Sequence, residues 1–294
     1  AKAMGGSLTD HSYKISVSSG DIYINGTFQS LNVDFDPGLG TANLTKEPNP
    51  ASTKTNGFIA KYTDCIPVST PTGTITWTGS VGTAWNDACN WSPATVPGAG
   101  NAVVIPNTAN DPIISSFTAN VSRIDIQSGG QLTVSNTGIL NVTQFTVTGI
   151  YLDGAALTNN GTINLTSNDD NVSEITLLSG STVNNSGIIN LNRGFGITNS
   201  SGATFTNNAC GKVIFADASN NDFRNSGTVT NDGLIQIFWW LHNSGNITNN
   251  GVLKYETLNS TGGALTNNRI IIDDDDSPIF QLGASNNATV NGIY

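Results

Sequence analysis

The chain carries few residues able to do acid–base or metal chemistry, and they are scattered. There are two histidines, His11 and His242. A Ser-His-Asp arrangement would need one of them held by a carboxylate. His242 stands in Leu241-His242-Asn243, at the variable position of a recurring motif, which reads as an exposed face. The densest carboxylate run is Asp273-Asp274-Asp275-Asp276, after Ile270-Ile271-Ile272. Hard oxygen ligands suit Ca²⁺, but consecutive strand residues point to opposite faces, so four such Asp cannot all reach one ion without a tight loop. A solvated turn is the preferred reading. Asn168-Asp169-Asp170-Asn171 poses the same choice. Past residue 74 the basic residues are Arg123, Arg193, Lys212, Arg224, Lys254 and Arg269, and none shares a dense motif with paired acids. β-Helix lyases need such a base, usually with Ca²⁺, and glycoside hydrolases need facing carboxylates. The chain therefore reads as no enzyme, with no cofactor beyond a calcium ion at the Asp run.

Phe238-Trp239-Trp240-Leu241 is the conspicuous aromatic element. Alternation in a strand sends one Trp inside and leaves the other as a contact for sugar or protein. Trp239 and Trp240 are thus the candidate ligand-binding residues, against a plain packing role.

The elements that must position these residues are β-strands. Charged residues make up 11% of the 294-residue chain, against about 25% in ordinary domains. Asn, Thr, Ser and Gly supply the polarity instead, and they are poor helix formers because short polar side chains compete for backbone groups. The net charge of −10 opposes nucleic acid or an anionic membrane as partner, and no apolar run is long enough to span a bilayer. Ala1-Lys2-Ala3-Met4 lacks a signal core, so the chain reads as part of a longer one. Cys65 and Cys89 could pair in an oxidising compartment, leaving Cys210 over; three buried free thiols are the alternative.

A unit of apolar residue, any residue, Asn, small polar residue and usually Gly fixes the fold class. It begins at 134, 157, 183 and 205, in steps of 23, 26 and 22; copies at 229, 247 and 265 are 18 apart. Units at 223 and 241 lie six residues before two of these, implying corners on both sides of a short strand. Such periodicity predicts a β-solenoid of about eight to ten coils, taken as a right-handed parallel β-helix. Asn and Gly suit sharp left-handed corners, and stacked Asn can bond from coil to coil. Scarcity of Lys, Arg and Glu fits coils about 4.8 Å apart, which would stack like charges. An immunoglobulin-like sandwich is the runner-up, but gives no reason for Asn at one corner.

Two stretches resemble known modules. In residues 1–66, Ala1-Lys2, Gly5-Gly6, Asp10, Ile15-x-Val17, Gly20-Asp21-Ile22-Tyr23-Ile24-x-Gly26, Val33-Asp34-Phe35-Asp36-Pro37-Gly38 and Phe58-x-Ala60-Lys61 resemble a bacterial β-propeller repeat found in tandem in large secreted surface proteins. That resemblance implies one four-stranded blade. The family's Trp before the Ala-Lys pair falls outside the chain, and Glu47–Ser52 looks like an inserted loop. Residues 67–74 read as a linker. In 75–120, Trp77-x-Gly79, Trp85, Asn90-Trp91 and Val103-x-Ile105-Pro106 resemble the segment that opens β-solenoids in bacterial surface proteins, a cap over the first coil; a sugar platform on Trp77, Trp85 or Trp91 is the sharper alternative. The Asn-rich solenoid fills 121–294. Together the resemblances imply an adhesin-like, extracellular or cell-surface rod, with glycans or proteins as partners. A carbohydrate-binding module or a β-helix polysaccharide enzyme is the alternative.

Overall fold

The computed structural model describes residues 8–18, 21–35, 43–45, 55–63, 73–216 and 221–273. The chain divides into two compact units, Ala1–Ile66 and Pro67–Tyr294.

In the first unit, Asp10–Ser18, Asp21–Phe28 and Asn56–Thr63 form an antiparallel sheet with Asp21–Phe28 central, and Asn32–Asp34 pairs with Asn43–Thr45 in a separate ribbon. Among the described residues the strands thus fall into a sheet of three and a ribbon of two, in place of the one four-stranded sheet expected of a blade. Phe28, Val33 and Phe35 make a small core against Phe58 and Ala60. Asp10 Oδ1 accepts from the Gln29 amide (3.1 Å), pinning the strand end to the turn after Phe28.

The second unit is a parallel β-solenoid of about eight turns, with almost no helix. Each turn lays one strand on each of three sheets in fixed order. The first complete turn runs through Ala102–Ile105, Ile113–Ile114 and Thr118–Val121, and the next opens with Arg123–Ile126. We call the sheets the first face (ten strands), the second face (eight, from Ile113–Ile114) and the third face (eight, from Thr118–Val121). Successive coils pair in parallel register, as in Leu157↔Val183↔Phe205↔Val229↔Ile247↔Leu265. Parallel pairing between coils excludes the sandwich.

Alternation does the sorting. Strands such as Thr204–Asn207 bury every second residue, so aliphatic columns fill the interior while Thr, Asn and Ser face out. The core runs without a break from Ile75 to Ile271.

At the corner between second and third faces the inward residue is Asn. Asn159 Nδ2 donates to Asn185 Oδ1 (2.7 Å), Asn185 to Asn207, Asn207 to Asn231, Asn231 to Asn249 and Asn249 to Asn267, at 2.7 to 2.8 Å throughout. The second hydrogen of each amide reaches the next coil just past its corner, from Asn231 to the Val252 carbonyl at 2.9 Å and from Asn249 to that of Ile270 at 2.9 Å. A buried amide is thus satisfied on both hydrogens by the coil that follows. A second buried ladder, Asn199 to Asn225 to Asn243, fills the corner between first and second faces, across one coil of 26 residues and one of 18. A third ladder, outward on the third face, links Asn120, Asn141, Asn164 and Asn190 with the opposite polarity.

The corner glycines act differently from the expectation. Gly161, Gly187, Gly233 and Gly251 are not among the residues of positive φ, and neither are the ladder asparagines. A Cβ on Gly251 would stand 2.1 Å from the Gly233 carbonyl oxygen, and one on Gly187 2.1 Å from that of Gly161. Glycine is required there by the close approach of the adjacent coil. Left-handed glycines occur at the other corner instead, where Gly129, Gly154, Gly180 and Gly202 have φ from +79° to +81° apart from Gly154 at +62°.

The tryptophans close the N-terminal end. Thr74–Trp77 adds in parallel to Ala102–Ile105, and Trp91–Ser92 covers its outer edge antiparallel. Trp77, Trp85 and Trp91 are all buried, Trp91 lying edge-on to Trp77 (4.8 Å) and to Trp85 (4.7 Å). Their indole faces are sealed, which removes the sugar-platform alternative. Cys89, at this end, is disulfide-bonded, and Cys210 is an exposed free thiol; Cys65 lies outside the described residues.

Candidate functional site

Coil length varies at the corner from third to first face. Short coils turn tightly at Tyr255–Thr257, whereas others insert segments after Ser167 and Leu191. Insertions on one side of a solenoid leave the stacked core untouched and carry the non-repetitive residues.

One insertion is organised by Glu174, wholly buried, whose Oε1 accepts from the amides of Asn192 (3.0 Å) and Arg193 (3.2 Å). Arg193 in turn bonds Asp170, whose carboxyl it holds below the ordinary range, chiefly through that hydrogen bond. Asp169 Oδ1 accepts from the Asn171 amide at 2.9 Å, closing a local turn. Asp169 and Asp170 therefore have protein partners, and this cluster builds a loop.

A different cluster lies on the outside of the first face, with Phe195 from the insertion after Leu191 and Asp222 from the segment before the strand Phe223–Asn225. There Thr198, Arg224, His242 and Asn259 lie in register on adjacent strands. Asp222, nearly buried, offers Oδ2 to Arg224 Nη2 (2.9 Å) and to His242 Nε2 (3.3 Å). The Arg224 guanidinium lies 4.4 Å from the Phe195 ring centre, and the Trp240 ring stacks on His242 at 5.3 Å and 23°. A shallow groove follows, between Arg224 and Ser226 on one coil and His242 and Ser244 on the next, closed by Thr261. The groove offers arginine and histidine nitrogens and serine hydroxyls, with Asp222 bonded to both cationic side chains and the Phe195 and Trp240 rings against them, a set that suits a polyhydroxylated ligand.

The sequence candidates fall as follows. Trp240 faces outward in the strand Trp240–Asn243 and belongs to this cluster. Trp239 is half-buried at the corner before it, and Phe238 is exposed. Neither Trp enters the core, because Ile237 and Leu241 occupy the inward positions and the corner at Phe238–Trp239 interrupts alternation. His242, read as part of an exposed face, is tied to a carboxylate. Asp273 ends the strand Ile270–Asp273, opposite Tyr255. Asp274, Asp275 and Asp276 lie outside the described residues, so the calcium reading is not placed. Among the described residues no three His, Cys, Asp or Glu gather to hold a metal, and no helix is long and apolar enough to cross a membrane.

Sequence reasoning missed Phe195, Asp222 and Arg224. A signal was present, since Phe223-Arg224-Asn225 and Leu241-His242-Asn243 are the same repeat position 18 residues apart, which stacks Arg224 on His242.

The described residues define a β-solenoid repeat protein with asparagine ladders. Residues 76–201 match the model of a domain of unknown function (DUF8693), a segment that holds the cap and the early coils and stops short of the Arg224–His242 groove. No curated protein and no solved structure matches the chain.

Proposed function

We propose that the chain is a non-enzymatic, rigid display rod of an adhesin-like surface protein, extracellular or on the outer cell surface, that contacts glycans through the groove beside Trp240. The observation that carries this reading is the Asp222 carboxylate shared by Arg224 and His242 and flanked by the Phe195 and Trp240 rings. Its donors and acceptors are pre-positioned by stacked strands, which lowers the ordering cost of binding a flexible sugar. The unbroken core and ladders support the rod. The resemblance of residues 1–66 to a bacterial propeller repeat supports a secreted bacterial origin and a blade in that unit, and right-handed winding belongs to the same proposal. No cofactor is required, and calcium enters only at Asp273–Asp276.

The test is a glycan array probed with the whole chain, Trp240→Ala and Arg224→Ala, with melting curves for all three. Binding by the wild type that both variants lose at unchanged melting temperature supports the groove. Binding that survives both moves the contact elsewhere. Turnover of an acidic polysaccharide that a chelator stops would replace the rod reading with a β-helix enzyme.

A further inference from the structure

The outside of the second face differs from the other two. Its strands from Gln131–Val134 to Ala264–Asn267 present two outward columns. One runs Thr133, Thr158, Asn184, Thr206, Thr230, Thr248, Thr266; the other runs Gln131, Ala156, Thr182, Thr204, Thr228, Asn246, Ala264. No outward position in these strands is charged or aromatic, whereas the first face carries Arg123, Asp125, Arg224 and His242 and the third carries Lys212 and Lys254. Thr204, Thr206, Thr228, Thr230 and Thr248 occupy half-exposed or exposed positions and make no side-chain hydrogen bond to protein, and their strands are ordered by the Asn207–Asn231–Asn249–Asn267 ladder immediately inside.

We infer that this face binds a crystalline lattice of neutral hydrogen-bonding groups, and specifically ice. Threonine hydroxyls recur about every 4.8 Å from coil to coil along the first column, interrupted at Asn184, and the pairs Thr204/Thr206 and Thr228/Thr230 add a spacing of about 6.7 Å along the strand. The coil-to-coil spacing is close to that of oxygen rows on a prism face of hexagonal ice. The β-branch of threonine restricts χ1, so hydroxyl direction as well as position recurs, and the methyl groups between them favour ordered water over a loose hydration layer. The buried ladder gives this reading its rigidity, since each amide fixes the spacing and register of two neighbouring threonines. A mineral surface would call for carboxylates, and a crystalline polysaccharide for aromatic rings to stack on the sugar planes. This face has neither.

The experiment grows ice slowly from a solution of the whole chain and measures the protein taken into the ice, beside an inert protein. The variants are Thr206→Lys/Thr230→Lys on this face, and Tyr151→Lys/Thr176→Lys, likewise outward on adjacent coils of the first face, as a charge-matched control, each checked by melting. The expected result is several-fold enrichment of the wild type and of the control variant, and loss to the inert level for Thr206→Lys/Thr230→Lys. Should that variant fail to fold, Thr206→Ser/Thr230→Ser keeps the hydroxyls but frees their direction, and enrichment should fall several-fold. Wild-type protein left in the liquid like the inert protein overturns the inference, as does enrichment that survives both second-face variants. Exclusion from ice together with retention on microcrystalline cellulose or chitin also overturns it and gives the face to a polysaccharide.

Discussion

Asn207 donates its side-chain amide to Oδ1 of Asn231 at 2.7 Å, both residues being wholly buried in successive coils. Asn231 passes the pattern on, to Asn249 Oδ1 and to the Val252 carbonyl. An interior asparagine here is a connector whose two hydrogens are consumed by the next coil. Replacing Asn231 with Ala strands the Asn207 amide on one side and the Asn249 oxygen on the other. With buried orphans at about 1–3 kcal/mol each, the expected loss of stability is about 3 kcal/mol. Asn208→Ala, at a half-exposed position bonded only to Ser186 Oγ, should cost about 0.5 kcal/mol or less. Urea unfolding of the two variants checks the difference; equal losses would remove the ladder as the reason for the repeat.

The glycine that follows the ladder residue gives a second prediction. A methyl group at Gly251 meets the backbone of the coil beneath it at 2.1 Å, and neither strand can retreat without opening the ladder. Gly251→Ala should therefore cost about 3 kcal/mol or more, as overpacking against backbone. Gly100→Ala, where a Cβ meets nothing within 4 Å and φ is not positive, should be neutral or slightly stabilising. Melting temperatures of the two variants check this, since neither glycine has positive φ; a neutral Gly251→Ala would remove close packing as the source of the glycine requirement.

Much of this architecture is legible in the sequence, for a physical reason. A coil cannot bury its own face, so its neighbours must repeat its apolar positions, and the Asn-x-Gly spacing reports the corner directly. The aromatic cap is legible likewise, because Trp77, Trp85 and Trp91 crowd one short segment. The Arg224–Asp222–His242 cluster is harder to see. Asp222 enters from an insertion whose length does not repeat, and two of the bonds that define the cluster cross between coils. Trp239 misleads because alternation holds only within a strand, and the chain turns a corner at that residue.

The loop held by Arg193 should show its ion pair in a titration. Asp170 is shifted below its ordinary value of 3.8 by the Arg193 hydrogen bond. A depressed folded value means that the tether is in place above the unfolded value and is lost as pH falls through the folded one. Carboxyl NMR shifts should give Asp170 a midpoint below that of an unperturbed aspartate, and Arg193→Gln should return it upward. An unchanged midpoint in Arg193→Gln would mean that the guanidinium does not hold the carboxylate in solution.

The cap should matter more to folding than its size suggests, because it covers the one end of the core where Ile75 and Val103 would otherwise meet water. Trp91 is its centre, stacked edge-on between Trp77 and Trp85, with its indole N–H given to the Trp85 carbonyl at 2.8 Å. Trp91→Ala removes both aromatic contacts and leaves a cavity beneath the antiparallel edge strand, an expected loss of about 3–5 kcal/mol. Stability in a solenoid is transmitted between neighbouring coils, so the damage should begin at this end. Hydrogen exchange in Trp91→Ala should rise first in Thr74–Trp77 and Ala102–Ile105 and last in coils beyond Val183. Uniform acceleration along the solenoid would show instead that it unfolds as one unit and that the cap guards no particular end.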